Sequence, residues 1–70
     1  MFTLKAAAAL VPRSFDAVPS SPEELAADAW LGDCVSRGQL AWSGLHDALI
    51  DSGMSGQAAF EWSEHYFWDH

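Results

Sequence analysis

Apolar residues recur at helical spacing in the second quarter of the chain. Between residues 22 and 37 the apolar positions follow an i, i+4, i+7, i+8 pattern with a Trp beside it: Ala27, Trp30, Leu31, Cys34 and Val35. This spacing is typical of a helix that buries one face. The segment Ser21-Pro22-Glu23-Glu24 precedes it, which supplies an N-cap, a proline at the first helical position and a capping box. Gly38 is suited to the left-handed conformation that ends a helix, so the pattern predicts a helix over residues 22–37.

The same reasoning predicts two more helices toward the C-terminus. Residues 39–52 carry a second stripe: Ala41, Leu45, Ala48, Leu49 and Ser52. Gly44 interrupts this stripe, and glycine is less favourable than Ala in a helix by about 1 kcal/mol. The alternative is that the second helix begins only at Ser43. Gly53 ends this helix, and Ser55 is placed to cap a third helix over residues 55–68.

Residues 1–21 differ from the rest and are interpreted as an arm and a connector. Phe2-Thr3-Leu4 alternates weakly, as in a short strand, whereas the Ala-rich residues 5–10 favour a helical turn, and the pattern leaves both open. Pro12 and Pro19, with the serines that follow, indicate a connector. We therefore expect one domain over residues 1–70, all-α, a small three-helix bundle with an N-terminal arm.

The composition excludes several classes of protein. A single Cys permits neither an intrachain disulfide nor a Cys-built zinc site. The longest apolar run, residues 6–11, is far too short to cross a bilayer, and the start of the chain lacks a signal-peptide cleavage pattern. Half of the residues are hydrophobic, which favours a folded chain over a disordered one. We expect a cytoplasmic protein that is not associated with a membrane.

The charge is strongly negative and unevenly distributed. The formal net charge is −7, and neither Lys nor Arg follows Arg37. Several carboxylates stand three or four residues apart, where like charges repel and cost a few tenths of a kcal/mol per pair. Solubility is one explanation of such a surface. The other is that the carboxylates bind a basic partner, through Glu24, Asp28, Asp33, Asp47, Asp51, Glu61 and Glu64. This acidic balance excludes the usual direct nucleic-acid binder.

Aromatic residues are concentrated near the C-terminus. Five of the nine aromatic residues lie between positions 60 and 68: Phe60, Trp62, Tyr66, Phe67 and Trp68. A domain this small can scarcely bury them all, so we expect an exposed patch in which Trp62, Tyr66 and Trp68 anchor a partner. The same side chains could instead form the interface of a homodimer. For any one of them taken singly, burial in the core is the simpler interpretation.

Two groups of reactive side chains are spaced as in chemical sites, but neither completes one. Glu61, His65 and Asp69 share one helix face, but the row lacks the closed ligand set of a structural metal site. Cys34 and His46 could form a nucleophile and its base, but Cys34 lies on the apolar stripe, where Cys behaves as a small hydrophobe. We therefore expect no metal, no cofactor and no enzymatic activity.

In size, charge and composition the chain resembles the small acidic phage-encoded inhibitors of nucleic-acid-targeting defence systems, the anti-CRISPR and anti-restriction proteins. The resemblance involves no motif and carries over no residue. It implies a non-enzymatic, protein-binding inhibitor with acidic, nucleic-acid-like contacts and aromatic contacts. Such an inhibitor blocks a basic, nucleic-acid-binding surface of a protein or ribonucleoprotein, such as a CRISPR or restriction complex. The alternative is a small acidic adaptor, antitoxin-like partner or obligate subunit that uses its aromatic C-terminal helix as an interface.

Overall fold

A computed structural model describes residues 2–69, with only the backbone described for Asp69. This part of the chain is helical and contains no strand. Its elements are α1 (Leu4–Leu10), α2 (Pro22–Ser36), α3 (Trp42–Asp51), α4 (Gly56–Glu64) and a π-helical turn (His65–Asp69). The all-α prediction is confirmed, with four α-helices in place of the three expected.

Local signals set the ends of α2 where the sequence predicts them. The Ser21 hydroxyl accepts a hydrogen bond from the Glu24 amide at 3.1 Å, and the Glu24 carboxylate accepts one from the Ser21 amide at 3.2 Å. This reciprocal pair is the predicted capping box. Gly38 has a φ of +72°, the left-handed conformation expected after the helix.

The N-terminal segment is a helix that belongs to the core. Thr3 caps α1 by accepting a hydrogen bond from the Ala6 amide, and Ala7 and Ala8 have no exposed surface. The strand alternative is therefore not the one adopted. Alanine is the best helix former, and its small side chain allows α1 to pack closely against both α2 and α3. The segment expected to be an arm, with a short strand or a helical turn, is thus a helix that packs in the core.

Arg13 joins the ends of two helices. Its guanidinium donates hydrogen bonds to the carbonyl oxygens of Ala8 at 2.9 Å and Val11 at 2.7 Å, near the C-terminus of α1. It also donates to the carbonyl oxygen and the hydroxyl of Ser52, the residue that caps the C-terminus of α3. A cation at a helix C-terminus binds carbonyls that otherwise lack a partner. Arg13 therefore fixes the connector to α1 and α3.

The remaining elements close the fold around one core. α3 packs against α4, and the π-helical turn that continues α4 packs against α2. The apolar stripes supply the fully buried Leu31, Leu45 and Leu49, as predicted, whereas Cys34 is only partly buried. The Cα radius of gyration is 10.5 Å, close to the roughly 11 Å expected of a folded 70-residue domain.

The ends of the last two helices differ slightly from the prediction. α3 begins at Trp42. Its N-cap residue is Ala41, whose side chain cannot form a capping hydrogen bond. α4 is capped by Ser55, as predicted, but ends at Glu64 where the π-helical turn begins. None of the helices described is both long enough and apolar enough to traverse a bilayer.

Candidate protein-binding site

Trp62 and Tyr66, two of the three expected aromatic anchors, are core residues. Trp62 is 4 % exposed and Tyr66 is 3 % exposed, and their rings lie 5.9 Å apart. Phe15 from the connector covers Trp62 at a ring distance of 5.0 Å. The expectation that these two side chains form an exposed patch is wrong, because the π-helical turn packs against α2 and the connector folds over α4.

Tyr66 also connects the C-terminal turn to α2 by a polar contact. Its hydroxyl donates a hydrogen bond to the Asp28 carboxylate at 2.6 Å. Burial raises the pKa of the Tyr66 phenol above its ordinary value of 10.0, and the hydrogen bond to Asp28 and the charge of that carboxylate raise it further. The phenol is therefore held in its neutral form, in which it can donate.

A different set of aromatic side chains reaches the surface. Trp68 is 73 % exposed and Phe60 is 51 % exposed, while Trp42 and His46 of α3 are half-buried beside them. Trp42 stacks on His46 with the rings 5.0 Å apart and meets Phe60 edge-on at 5.7 Å. We call the surface formed by Trp42, His46, Phe60, Glu64 and Trp68 the aromatic–acidic face.

Glu64 lies at the centre of this face. One of its carboxylate oxygens, Oε2, accepts hydrogen bonds from the indole N–H groups of both Trp42, at 2.8 Å, and Trp68, at 3.1 Å. Hydrogen bonds to an ionised acceptor are stronger than neutral ones. Glu64 thus ties the start of α3 to the C-terminal turn and holds two tryptophans in fixed positions at the surface.

Sequence reasoning identified Glu64 and Trp68 but missed Trp42 and His46. The two missed residues lie four positions apart on α3, just as Phe60, Glu64 and Trp68 are spaced along the end of the chain. Each helix therefore carries a visible polar–aromatic row. What the sequence does not show is that α3 and α4 pack side by side and bring the two rows together.

Seven carboxylates were predicted to bind another protein. Four of them already form hydrogen bonds or an ion pair within the chain. Glu24 completes the capping box, Asp28 accepts from Tyr66, and Glu64 accepts from two indoles. Asp33 pairs with Arg37 at 3.0 Å, an exposed ion pair of small energetic value. These positions therefore have a structural explanation, of which only the capping role of Glu24 was predicted from the sequence. Their role in partner binding remains a prediction.

The other three carboxylates are less engaged. Asp47 is strongly exposed and lies 3.9 Å from His46, at the edge of the aromatic–acidic face. Asp51 and Glu61 have no hydrogen bond or ion pair to any described side chain. Glu61 lines an open cleft of about 280 Å³ between the connector and α4, to which Arg13 and Asp16 also contribute. The cleft is bordered by charges of both signs, and Arg13 is already bound to carbonyl groups.

The arrangements weighed as catalytic or metal-binding are not assembled among the described side chains. No group of three or more potential metal ligands occurs among them, and the Asp69 carboxylate of the Glu61–His65–Asp69 row lies outside the described part. His65 is surrounded by the rings of Phe15, Trp62 and Tyr66. His46, weighed as a base for Cys34, is instead stacked on Trp42.

Comparison with known proteins identifies no relative. No protein-family model matches the chain, and no significant match is found among curated proteins or among solved structures.

Proposed function

We propose that the protein is a non-enzymatic, protein-binding inhibitor that acts in the cytoplasm and occupies a basic, nucleic-acid-binding surface of a partner. The aromatic–acidic face is the observation that carries this proposal. Trp68 and Phe60 expose large apolar rings near the Glu64 carboxylate, and Asp47 adds a second carboxylate beside His46, on a chain with a net charge of −7. Aromatic residues within a charged rim are characteristic of binding hot spots.

The rest of the charge supports the same kind of partner. Exposed carboxylates on α2 and α3 surround the molecule with negative potential, which accelerates association with a basic surface and makes it salt-dependent. A basic channel that binds phosphates is such a surface. The resemblance to phage inhibitors of defence systems suggests a CRISPR or restriction complex as the class of target.

The experiment compares capture of partners by matched variants. Trp68→Ser removes the most exposed aromatic ring, and Leu25→Ser is the control because Leu25 is 53 % exposed on α2, a helix that contributes no side chain to the face. A true partner is captured from a bacterial lysate by the wild-type protein and by Leu25→Ser, and its affinity for Trp68→Ser falls about tenfold or more. Circular dichroism verifies that both variants are folded.

Competition then distinguishes the inhibitor from an adaptor. If the protein blocks a nucleic-acid-binding surface, DNA or RNA displaces it from the captured partner, and affinity falls steeply between low and high salt. A partner that stays bound in the presence of nucleic acid supports the adaptor or obligate subunit. A stable dimer in sedimentation that Trp68→Ser dissociates assigns the face to self-association and contradicts the proposal.

A further inference from the structure

The hydrogen-bonding group of Trp68 is engaged within the chain, so the rest of its exposed indole is an apolar surface. The indole N–H, the only hydrogen-bonding group of the side chain, donates to Glu64, yet 73 % of the residue remains exposed. A single exposed ring needs no explanation, but this one is fixed in place by a charge-assisted hydrogen bond. The structure therefore presents an ordered indole surface to solvent.

The Glu64 carboxylate retains an unused acceptor. Both indole N–H groups bind Oε2, and Oε1 accepts no hydrogen bond from any described residue. A carboxylate can accept about four hydrogen bonds, so it has capacity for further donors. The two indoles fix its orientation before any ligand arrives, and such preorganisation lowers the entropic cost of binding.

The described chain supplies no cation to this carboxylate. Arg13 binds the ends of α1 and α3, Arg37 pairs with Asp33, and Lys5 lies on α1. Glu64 is therefore a negative charge flanked by aromatic rings, without a positive counterpart among the described residues. This arrangement complements a cation supplied by another molecule.

We propose that Trp68, Trp42 and Glu64 bind an arginine side chain of the basic partner. The planar guanidinium stacks on an indole face and donates to Oε1 of Glu64 at the same time, which a lysine ammonium does less well. This inference rests on the proposed function, because it names the chemical group that the aromatic–acidic face recognises.

The test uses an oligoarginine peptide, with oligolysine and oligocitrulline peptides of the same length as matched probes. Binding is followed by the indole N–H resonances of the four tryptophans in ¹H–¹⁵N correlation spectra. We expect oligoarginine to shift the Trp42 and Trp68 resonances, with an affinity about fivefold above that of oligolysine. Oligocitrulline keeps the shape without the charge and is expected not to bind. The buried Trp62 indole serves as the reference.

Charge-matched variants separate this site from general acidity. Glu64→Gln should weaken oligoarginine binding about tenfold, whereas Glu23→Gln, which removes an equal charge from the exposed start of α2, should change it less than about twofold. Equal effects of the two variants, equal affinity for oligolysine, or the absence of any shift in the Trp42 and Trp68 resonances would overturn the inference.

The inference and the proposed function can fail separately. A partner that is lost on Trp68→Ser, together with peptides that do not distinguish Arg from Lys, eliminates the arginine site and retains the inhibitor. Selective oligoarginine binding at Trp68, together with a captured partner that nucleic acid does not displace, retains the arginine site and eliminates the inhibitor.

Discussion

At the residue scale, burial assigns different roles to side chains that look alike in the sequence. Trp62 and Trp68 lie six positions apart, but one is 4 % exposed and the other 73 % exposed. The buried indole N–H of Trp62 has no hydrogen-bond partner among the described residues, whereas that of Trp68 is bound to Glu64. Trp62 therefore packs in the core, and Trp68 combines a fixed orientation with an exposed ring.

Tyr66→Phe tests the polar contact between the C-terminal turn and α2. The substitution removes the hydrogen bond to Asp28, and we expect it to lower the free energy of unfolding at neutral pH by about 1–2 kcal/mol. Urea denaturation measures this loss. An unchanged denaturation midpoint would show that the hydroxyl contributes no net stability.

The same variant changes the dependence of stability on pH. The pKa of Tyr66 is raised in the folded state, so its contribution is complete below the ordinary value of 10.0 and is lost as the pH rises above that value. Tyr66 is the only tyrosine, so Tyr66→Phe should remove a decline in stability above about pH 10. Urea denaturation of both proteins from pH 8 to 11 measures this difference. An identical alkaline decline in the variant would contradict the assignment.

At the element scale, the sequence predicts what is local and misses what depends on neighbouring helices. The capping box at Ser21 and the left-handed Gly38 are fixed by a few adjacent residues, and the structure confirms both. The burial of Trp62 and Tyr66 depends on Phe15 and α2, which are distant in sequence. The aromatic–acidic face was missed in part for the same reason, since it joins α3 to α4.

Arg13→Lys tests how the connector is attached to the helices. Lysine keeps the charge but lacks the planar group that reaches carbonyls of both α1 and α3, so we expect a loss of about 1 kcal/mol in the free energy of unfolding. Arg37→Lys is the matched control, since its ion pair with Asp33 is exposed and should be nearly neutral. Denaturant titration measures both variants. Equal effects would show that Arg13 acts only as a charge.

At the scale of the whole molecule, few cations offset the carboxylates. The chain has ten acidic residues and three basic ones. Among the described residues, Arg37 and Asp33 form the one ion pair between a Lys or Arg and a carboxylate. Net repulsion between the carboxylates opposes folding, and salt screens it. The net charge therefore opposes folding, even though individual carboxylates such as Glu24, Asp28 and Glu64 make stabilising hydrogen bonds.

Salt should affect folding and binding in opposite directions. We expect the melting temperature to rise as sodium chloride increases from low concentration to about 0.5 M, because repulsion within the chain is screened. Affinity for a basic partner should fall over the same range. Thermal unfolding monitored by circular dichroism measures the first effect. A melting temperature that falls with salt would show that attractive pairs outweigh the repulsion.

The π-helical turn has a consequence for how the end of the chain can vary. Its five residues contribute Tyr66 to the interior and Trp68 to the outside, in one short stretch of backbone. Removing a single residue between Glu64 and Tyr66 would rotate Tyr66 and Trp68 by about 100° around the helix axis, which is enough to break the contacts of Tyr66 with Asp28 and of Trp68 with Glu64. The number of residues in this stretch is therefore as tightly constrained by the fold as their chemical nature.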